Sequence, residues 1–206
     1  MPEVRAVLFD LDGVLVNSCE AWFQLLNLAT RNFCTPDVSR ASFDQSWGQG
    51  IDADVREFFP GCAAQEVARF YEDHLLDFDT AMQVQPGARA LLCRLRDADI
   101  HRGVVTNTPT ILARDVLAWA GLIGLVDTTA GATAGHCCKP APDLILLACE
   151  DLQVDPRLTL VVGDSRFDAE AAATARAQFL GFRSSQGPSV QDLAAVTEFV
   201  RLRPRH

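Results

Sequence analysis

Four short stretches of this chain carry side chains that could do chemistry together. The first, Asp10-Leu11-Asp12-Gly13, follows directly on the apolar run from Val4 to Phe9. Thr106-Asn107 closes a second run that begins at Gly103, and Gly163-Asp164-Ser165, with Asp168 behind it, closes a third from Leu158. Lys139-Pro140 opens a loop that leads into a helix. Taken singly, each is ordinary turn or helix-cap chemistry, since Asp, Asn, Ser and Gly all favour such places. Three of them, however, sit where strands end, and in an open parallel sheet ligands bind just beyond the carboxyl ends of the strands. A rim gathering four carboxylates, a hydroxyl and an ammonium holds acids that repel one another. A divalent cation resolves that repulsion, and hard oxygen ligands in a small cluster suit Mg²⁺, which also shares phosphate oxygens. A lysine and a threonine hydroxyl opposite it suit the anionic oxygens of a phosphoryl group.

The lysine is singular. The chain has seventeen arginines and one lysine, Lys139. Arginine is a planar fork and lysine a compact point charge, so a site that needs the second cannot accept the first. Chance survival is the other reading of a lone lysine; its company of aspartates favours a role.

The elements that must position these groups alternate. Helical spacing joins Trp22, Leu25, Leu26, Ala29 and Phe33, and again Val67, Phe70, Tyr71, His74 and Phe78. Between them, Ser46 to Gly50 reads as loop, and a short helix runs through Val55 and Phe58 to Pro60-Gly61. From Pro86-Gly87 onward, helices are expected over Ala88–Leu95, Ile111–Trp119, Pro142–Leu152 and Asp168–Ala177. Strands are expected at Gly103–Thr106, Leu158–Gly163 and Gln178–Phe182. This order predicts an α/β fold with a Rossmann-like parallel sheet covered on both faces. Residues 15–82 hold four arginines against eleven acids, whereas the remainder is nearly balanced. That shift predicts an inserted α-helical cap domain at 15–82 on an α/β core formed by 1–14 and 83–206, with hinges near 14–18 and 80–87.

The four motifs together resemble the haloacid dehalogenase superfamily, in the phosphatase branch with a helical cap after the first strand, which includes phosphoglycolate phosphatase-like and β-phosphoglucomutase-like members. The matches are Asp10-Leu11-Asp12-Gly13-Val14, Val105-Thr106-Asn107, Lys139-Pro140-Ala141-Pro142-Asp143 and Val162-Gly163-Asp164-Ser165-Arg166-Phe167-Asp168, in the family's order, covering the chain to about Phe182. The resemblance implies that Asp10 is a nucleophile forming an aspartyl-phosphate and that Asp12 is the general acid, then base. It implies a Mg²⁺ site from Asp10, Asp164 and the Asp12 carbonyl, with Asp168 holding a metal-bound water or orienting the cluster. Thr106, Lys139 and the backbone N–H groups of Leu11 and Asn107 are the implied phosphate ligands. Trp47, Gly48 and Gln49 resemble the substrate-facing cap loop, with packing between cap helices as the other reading of Trp47. Trp22 is read as core.

A carboxylate at Asp12 favours phosphate esters over carbon–halogen substrates. Sugar phosphomutases of this group carry a histidine ten residues after that acid, where this chain has Trp22, so net hydrolysis is expected. The expected activity is a Mg²⁺-dependent phosphatase acting on a small phosphorylated metabolite. A phosphomutase and a non-enzymatic binding module on the same fold are the alternatives. Arg176 stands near where relatives place a helix-ending glycine, which puts that turn in question.

Composition narrows the partners. Net charge is -9 over 206 residues, which argues against nucleic acid and anionic membranes. No apolar run has the length of a membrane span. Seven scattered cysteines with no Cys-x-x-Cys pair fit a reducing cytoplasm. Both a monomer and a homodimer fit, and the tail from Arg201 reads as a frayed basic terminus.

Overall fold

The computed structural model describes residues 3–133 and 135–200; the expected basic tail lies outside them. In chain order the strands are Ala6–Phe9 (β1), Val16–Asn17 (β2), Gln83–Val84 (β3), His101–Pro109 (β4), Thr128–Ala132 (β5), Thr159–Gly163 (β6), Gln178–Phe182 (β7) and Ser189–Val190 (β8). The helices are Cys19–Asn32 (α1), Arg40–Ser46 (α2), Ile51–Phe58 (α3), Ala64–His74 (α4), Ala88–Asp97 (α5), Thr110–Trp119 (α6), Asp143–Leu152 (α7), Arg166–Ala175 (α8) and Val196–Phe199 (α9).

β1 is buried along its whole length because both faces of the sheet are covered. Val7 and Phe9 belong to the apolar cluster that includes α5 and α6, through Leu92, Leu95, Leu112 and Val116. Ala6 and Leu8 face the opposite cluster, with Leu144 and Ile145 of α7 and Ala171 and Ala172 of α8. The sheet is parallel, in the order β5-β4-β1-β6-β7-β8. Leu8 therefore pairs with Gly103 on one side and Val161 on the other. The chain leaves β1 in both directions across the sheet, so the crevice of the doubly wound fold opens at its carboxyl end, where Asp10 stands.

Helices α1 to α4 lie in sequence between β2 and β3, and these two short strands pair antiparallel, Val16 with Val84 and Asn17 with Gln83. The segments expected as separate hinges are thus joined as one ribbon. Just past it, Gln85 Nε2 donates to the Gly13 carbonyl at 3.1 Å, fastening the return leg to the loop that bears Asp12.

Several elements depart from the sequence expectations. α2 falls in a stretch with few apolar residues, started by Ser39, whose hydroxyl accepts from Ser42 N–H at 3.1 Å. β5 is an edge strand of threonine, alanine and glycine, with no large apolar run to mark it. α8 begins two residues before Asp168 and ends at Ala175. Its first turn is closed by a capping box between Ser165 and Asp168. At its other end Arg176 takes the left-handed conformation itself, with φ of 61°. No helix among the described residues is long and apolar enough to cross a membrane.

Candidate active site

Asp10 follows β1 without a break, its N–H donating to the Val162 carbonyl of β6 at 2.9 Å. One carboxylate oxygen accepts from Leu11 N–H at 2.8 Å and lies 3.0 Å from Lys139 Nζ. Lys139 is buried; its ammonium also reaches Asp168 Oδ1 at 2.5 Å and the Val105 carbonyl at 3.0 Å. Three donor hydrogens thus meet three acceptors, a geometry that suits an ammonium. Burial works against its charge, but Asp10 and Asp168 outweigh that and hold Lys139 above its ordinary pKa. The other oxygen of Asp168 accepts from the N–H and hydroxyl of Ser165, at 3.1 and 2.6 Å. The α8 capping box thereby fixes the carboxylate that fixes the lysine.

Asp164, at the end of β6, completes a cluster of three carboxylates. Asp10, Asp164 and Asp168 each offer a ligand atom, all within 4.8 Å of one another. Burial pushes the Asp164 carboxyl up to about 6, against the hydrogen bond from Trp47 and with added repulsion from Asp168. Burial likewise raises Asp10; Lys139 pulls it back, and Asp168, Asp164 and Asp12 push it up again, so the net direction is upward. One ammonium does not balance these acids. An oxygen-ligated divalent cation fits the excess of negative charge and the donor set. Gly13 adopts a φ of 84°, and a Cβ there would overlap the Asp164 carboxylate, so only glycine lets the Asp12 loop pass this close.

The Asp12 side chain is engaged elsewhere. Ser18 Oγ and Trp22 Nε1 donate to one of its oxygens at 2.5 and 2.8 Å, and Thr108 Oγ1 donates to the other at 2.6 Å. Thr106 accepts from Thr108 N–H at 3.2 Å, which leaves its own hydrogen available to an incoming oxygen. Asp10, Asp12, Thr106, Asn107 and Lys139 line one cavity, roofed by residues of α1 to α4.

The expected cap loop touches the core directly. Trp47 Nε1 donates to Asp164 Oδ2 at 3.1 Å, while the ring packs edge-on against Phe43, 5.6 Å between centroids. Asn107 Nδ2 donates to the carbonyls of Gly48, at 2.9 Å, and Lys139, at 3.0 Å, and its Oδ1 accepts from Lys139 N–H at 2.7 Å. Gly48 has a φ of 86°, and a Cβ there would press on Ser165 at 3.3 Å. Gln49 lines the cavity and turns its amide to Asp54. Leu11 N–H, expected as a phosphate donor, serves the Asp10 carboxylate in this structure.

Sequence reasoning overlooked Ser18 and Thr108 and read Trp22 as core packing. Two signals were available. Thr108 is two residues beyond Thr106, hence on the same side of an extended strand, and Trp22 lies in the first turn of the helix that follows the Asp12 loop. Trp22→Phe removes one hydrogen bond that positions Asp12, commonly about 1 kcal/mol, so turnover of an alkyl phosphate should fall about fivefold. An aryl phosphate, whose leaving group needs no proton, should lose less; steady-state kcat for the two esters checks this.

A doubly wound α/β sheet with carboxylates at its switch point places an acidic ligand site there, and similarity to known proteins gives its class. Residues 7–182 match the model of the haloacid dehalogenase-like hydrolases. Phosphoglycolate phosphatase of Rhodospirillum rubrum is 29% identical over 215 residues, covering 96% of this chain and 89% of the relative. The plasmid-borne phosphoglycolate phosphatase of Cupriavidus necator is 29% identical over 177 residues, covering 82% and 77%. The crystal structure of CbbY from Rhodobacter sphaeroides in complex with phosphate superposes with a TM-score of 0.80 at 20% identity, covering 94% of this chain and 96% of that one. With most of its length matched, the chain belongs to the haloacid dehalogenase-like hydrolase family, among relatives that are phosphatases.

Proposed function

We propose that this enzyme is a Mg²⁺-dependent phosphatase that hydrolyses a small phosphorylated metabolite through an aspartyl-phosphate on Asp10. One observation carries the reading. Asp12 is held apart from the three-carboxylate cluster by Ser18, Trp22 and Thr108, yet it lines the same cavity as Asp10. Two carboxylates in different surroundings can take different tasks.

In the first step an Asp10 oxygen forms a bond to phosphorus as the ester P–O bond breaks, and Asp12 gives its proton to the departing alkoxide. In the second, water attacks the same phosphorus while Asp12 takes its proton, releasing inorganic phosphate and restoring the Asp10 carboxylate. Lys139 and the Thr106 hydroxyl stabilise charge on the transferring oxygens, and Asp168 positions the lysine. Asp10, Asp164 and Asp168, with the Asp12 carbonyl, would hold Mg²⁺, which when bound adds positive charge beside the phosphoryl oxygens.

We take residues 15–82 as a cap domain that closes over residues 1–14 and 83–206, with Trp47, Gly48 and Gln49 as its contact with the site. Trp22 supports hydrolysis over phosphoryl return to a bound sugar: its indole nitrogen donates to Asp12 but cannot accept a proton. The seven cysteines, all free thiols, fit a reducing cytoplasm. The test is release of inorganic phosphate from 4-nitrophenyl phosphate, with loss under a chelator and recovery on adding Mg²⁺. Activity that survives metal removal, or no turnover with metal present, rejects the proposal.

A further inference from the structure

Among the described residues, the roof of the cavity carries no cation. Lys139 is the only lysine, arginine or histidine among its lining residues, and it is engaged by Asp10 and Asp168. Three of the four arginines of the inserted helices are paired with acids, and the fourth, Arg56, lines an adjoining groove that shares Gln49 and Lys139 with the cavity without lining the cavity itself. Arg31 pairs with Asp37, Arg40 with Glu20 and Asp44, and Arg69 with Asp73.

What the roof does present, among aromatic and aliphatic side chains, is a carboxylate. Asp54 of α3 lines the cavity, accepting from Gln49 Nε2 at 2.8 Å on one oxygen and from Tyr71 OH at 3.2 Å on the other. Tyr71 is held in place by Trp22, edge-on with 5.4 Å between centroids. An ionised carboxylate has about four acceptor positions, so two bonds leave capacity for donors from a ligand. Burial pushes this carboxyl up to about 7, with Glu57 adding to the rise and the bonds from Gln49 and Tyr71 opposing it. A donor from a ligand would relieve the same cost of burial.

We infer that Asp54, oriented by Gln49 and Tyr71, forms the leaving-group subsite, and that it selects phosphate esters whose alcohol portion carries hydrogen-bond donors and no second negative charge. This inference rests on the phosphatase reading and narrows it. Above pH about 7, where Asp54 is ionised, a carboxylate or second phosphate on the leaving group would meet it with no cation beside it among the described lining residues of the roof, and like-charge juxtaposition disfavours binding. The chain therefore parts from the substrate named for its phosphoglycolate phosphatase relatives.

Glycerol 3-phosphate and 2-phosphoglycolate are of similar size and differ in what the leaving group presents, with 4-nitrophenyl phosphate as the reference. At a pH above 7, where Asp54 is ionised, the wild-type enzyme should show kcat/KM at least about tenfold higher for glycerol 3-phosphate than for 2-phosphoglycolate, the scale of one hydrogen bond to a charged group. Asp54→Asn should lower that ratio about tenfold. Ile51→Arg, which puts a cation into the cavity lining at the start of α3, should shift it toward 2-phosphoglycolate and serves if Asp54→Asn does not fold. Failure on 4-nitrophenyl phosphate itself would reject the phosphatase reading. Turnover of that ester with 2-phosphoglycolate equal or preferred would overturn the inference alone, as would a ratio unmoved in both folded variants.

Discussion

Asp10→Asn is expected to abolish phosphate-ester hydrolysis, with kcat falling about 10⁴-fold or more, as when a covalent nucleophile is removed from an enzyme. The amide keeps the shape of the carboxylate, and its oxygen can still accept from Leu11 N–H and from Lys139. It lacks the charge that attacks phosphorus. The fold should persist or gain stability, because a crowded, buried acid is removed from among Asp12, Asp164 and Asp168. Steady-state assay of 4-nitrophenyl phosphate, with thermal unfolding as a control, measures both. Turnover within tenfold of the parent in a folded variant would contradict covalent catalysis at this residue.

Asp12→Asn should separate the two chemical steps. Positioned acid–base groups commonly contribute about 10²–10⁴-fold, and that loss is expected for an alkyl phosphate, whose alkoxide needs a proton to depart. Nitrophenolate departs without one, so an aryl phosphate should still transfer its phosphoryl group to Asp10. The second step then stalls, because no group takes the proton of the attacking water. Rapid-quench measurement should show a burst of nitrophenolate near one equivalent, followed by slow turnover, with phosphate retained on the protein. Equal losses for both esters and no burst would count against Asp12 as the acid–base group.

The sheet was legible wherever a strand is buried on both faces. Val7-Leu8-Phe9, Val104-Val105 and Leu160-Val161-Val162 are continuous apolar runs that stop abruptly at polar residues, and that stop is what marks the site. β5 gave no such mark, since an edge strand of small residues is defined by its partner β4 and not by its own hydrophobicity. Extension of β4 to Pro109 hid Thr108 in the same way: Thr106-Asn107 reads as a strand end, while the chain stays extended for two more residues. α2 was missed because seven residues with Phe43 as their one large apolar side chain leave little periodicity to detect.

Asp10, Asp12, Thr106 and Asp164 were legible because they follow strand ends, where position along the chain predicts position in space. The roof was not. Asp54 lies with Asp52 and Glu57 in one short helix, and only tertiary packing turns it toward Tyr71 and the cavity. Trp22 has the composition of a core residue, and the hydrogen bond that gives it a second task spans ten residues of chain.

The solitary Lys139 has one more consequence. Its ε-amine is enclosed and shared between two carboxylates. With no other lysine in the sequence, the surface offers no side-chain primary amine to acylation, glycation or isopeptide tagging. Within these 206 residues, a lysine-directed reagent must enter the site to find its target.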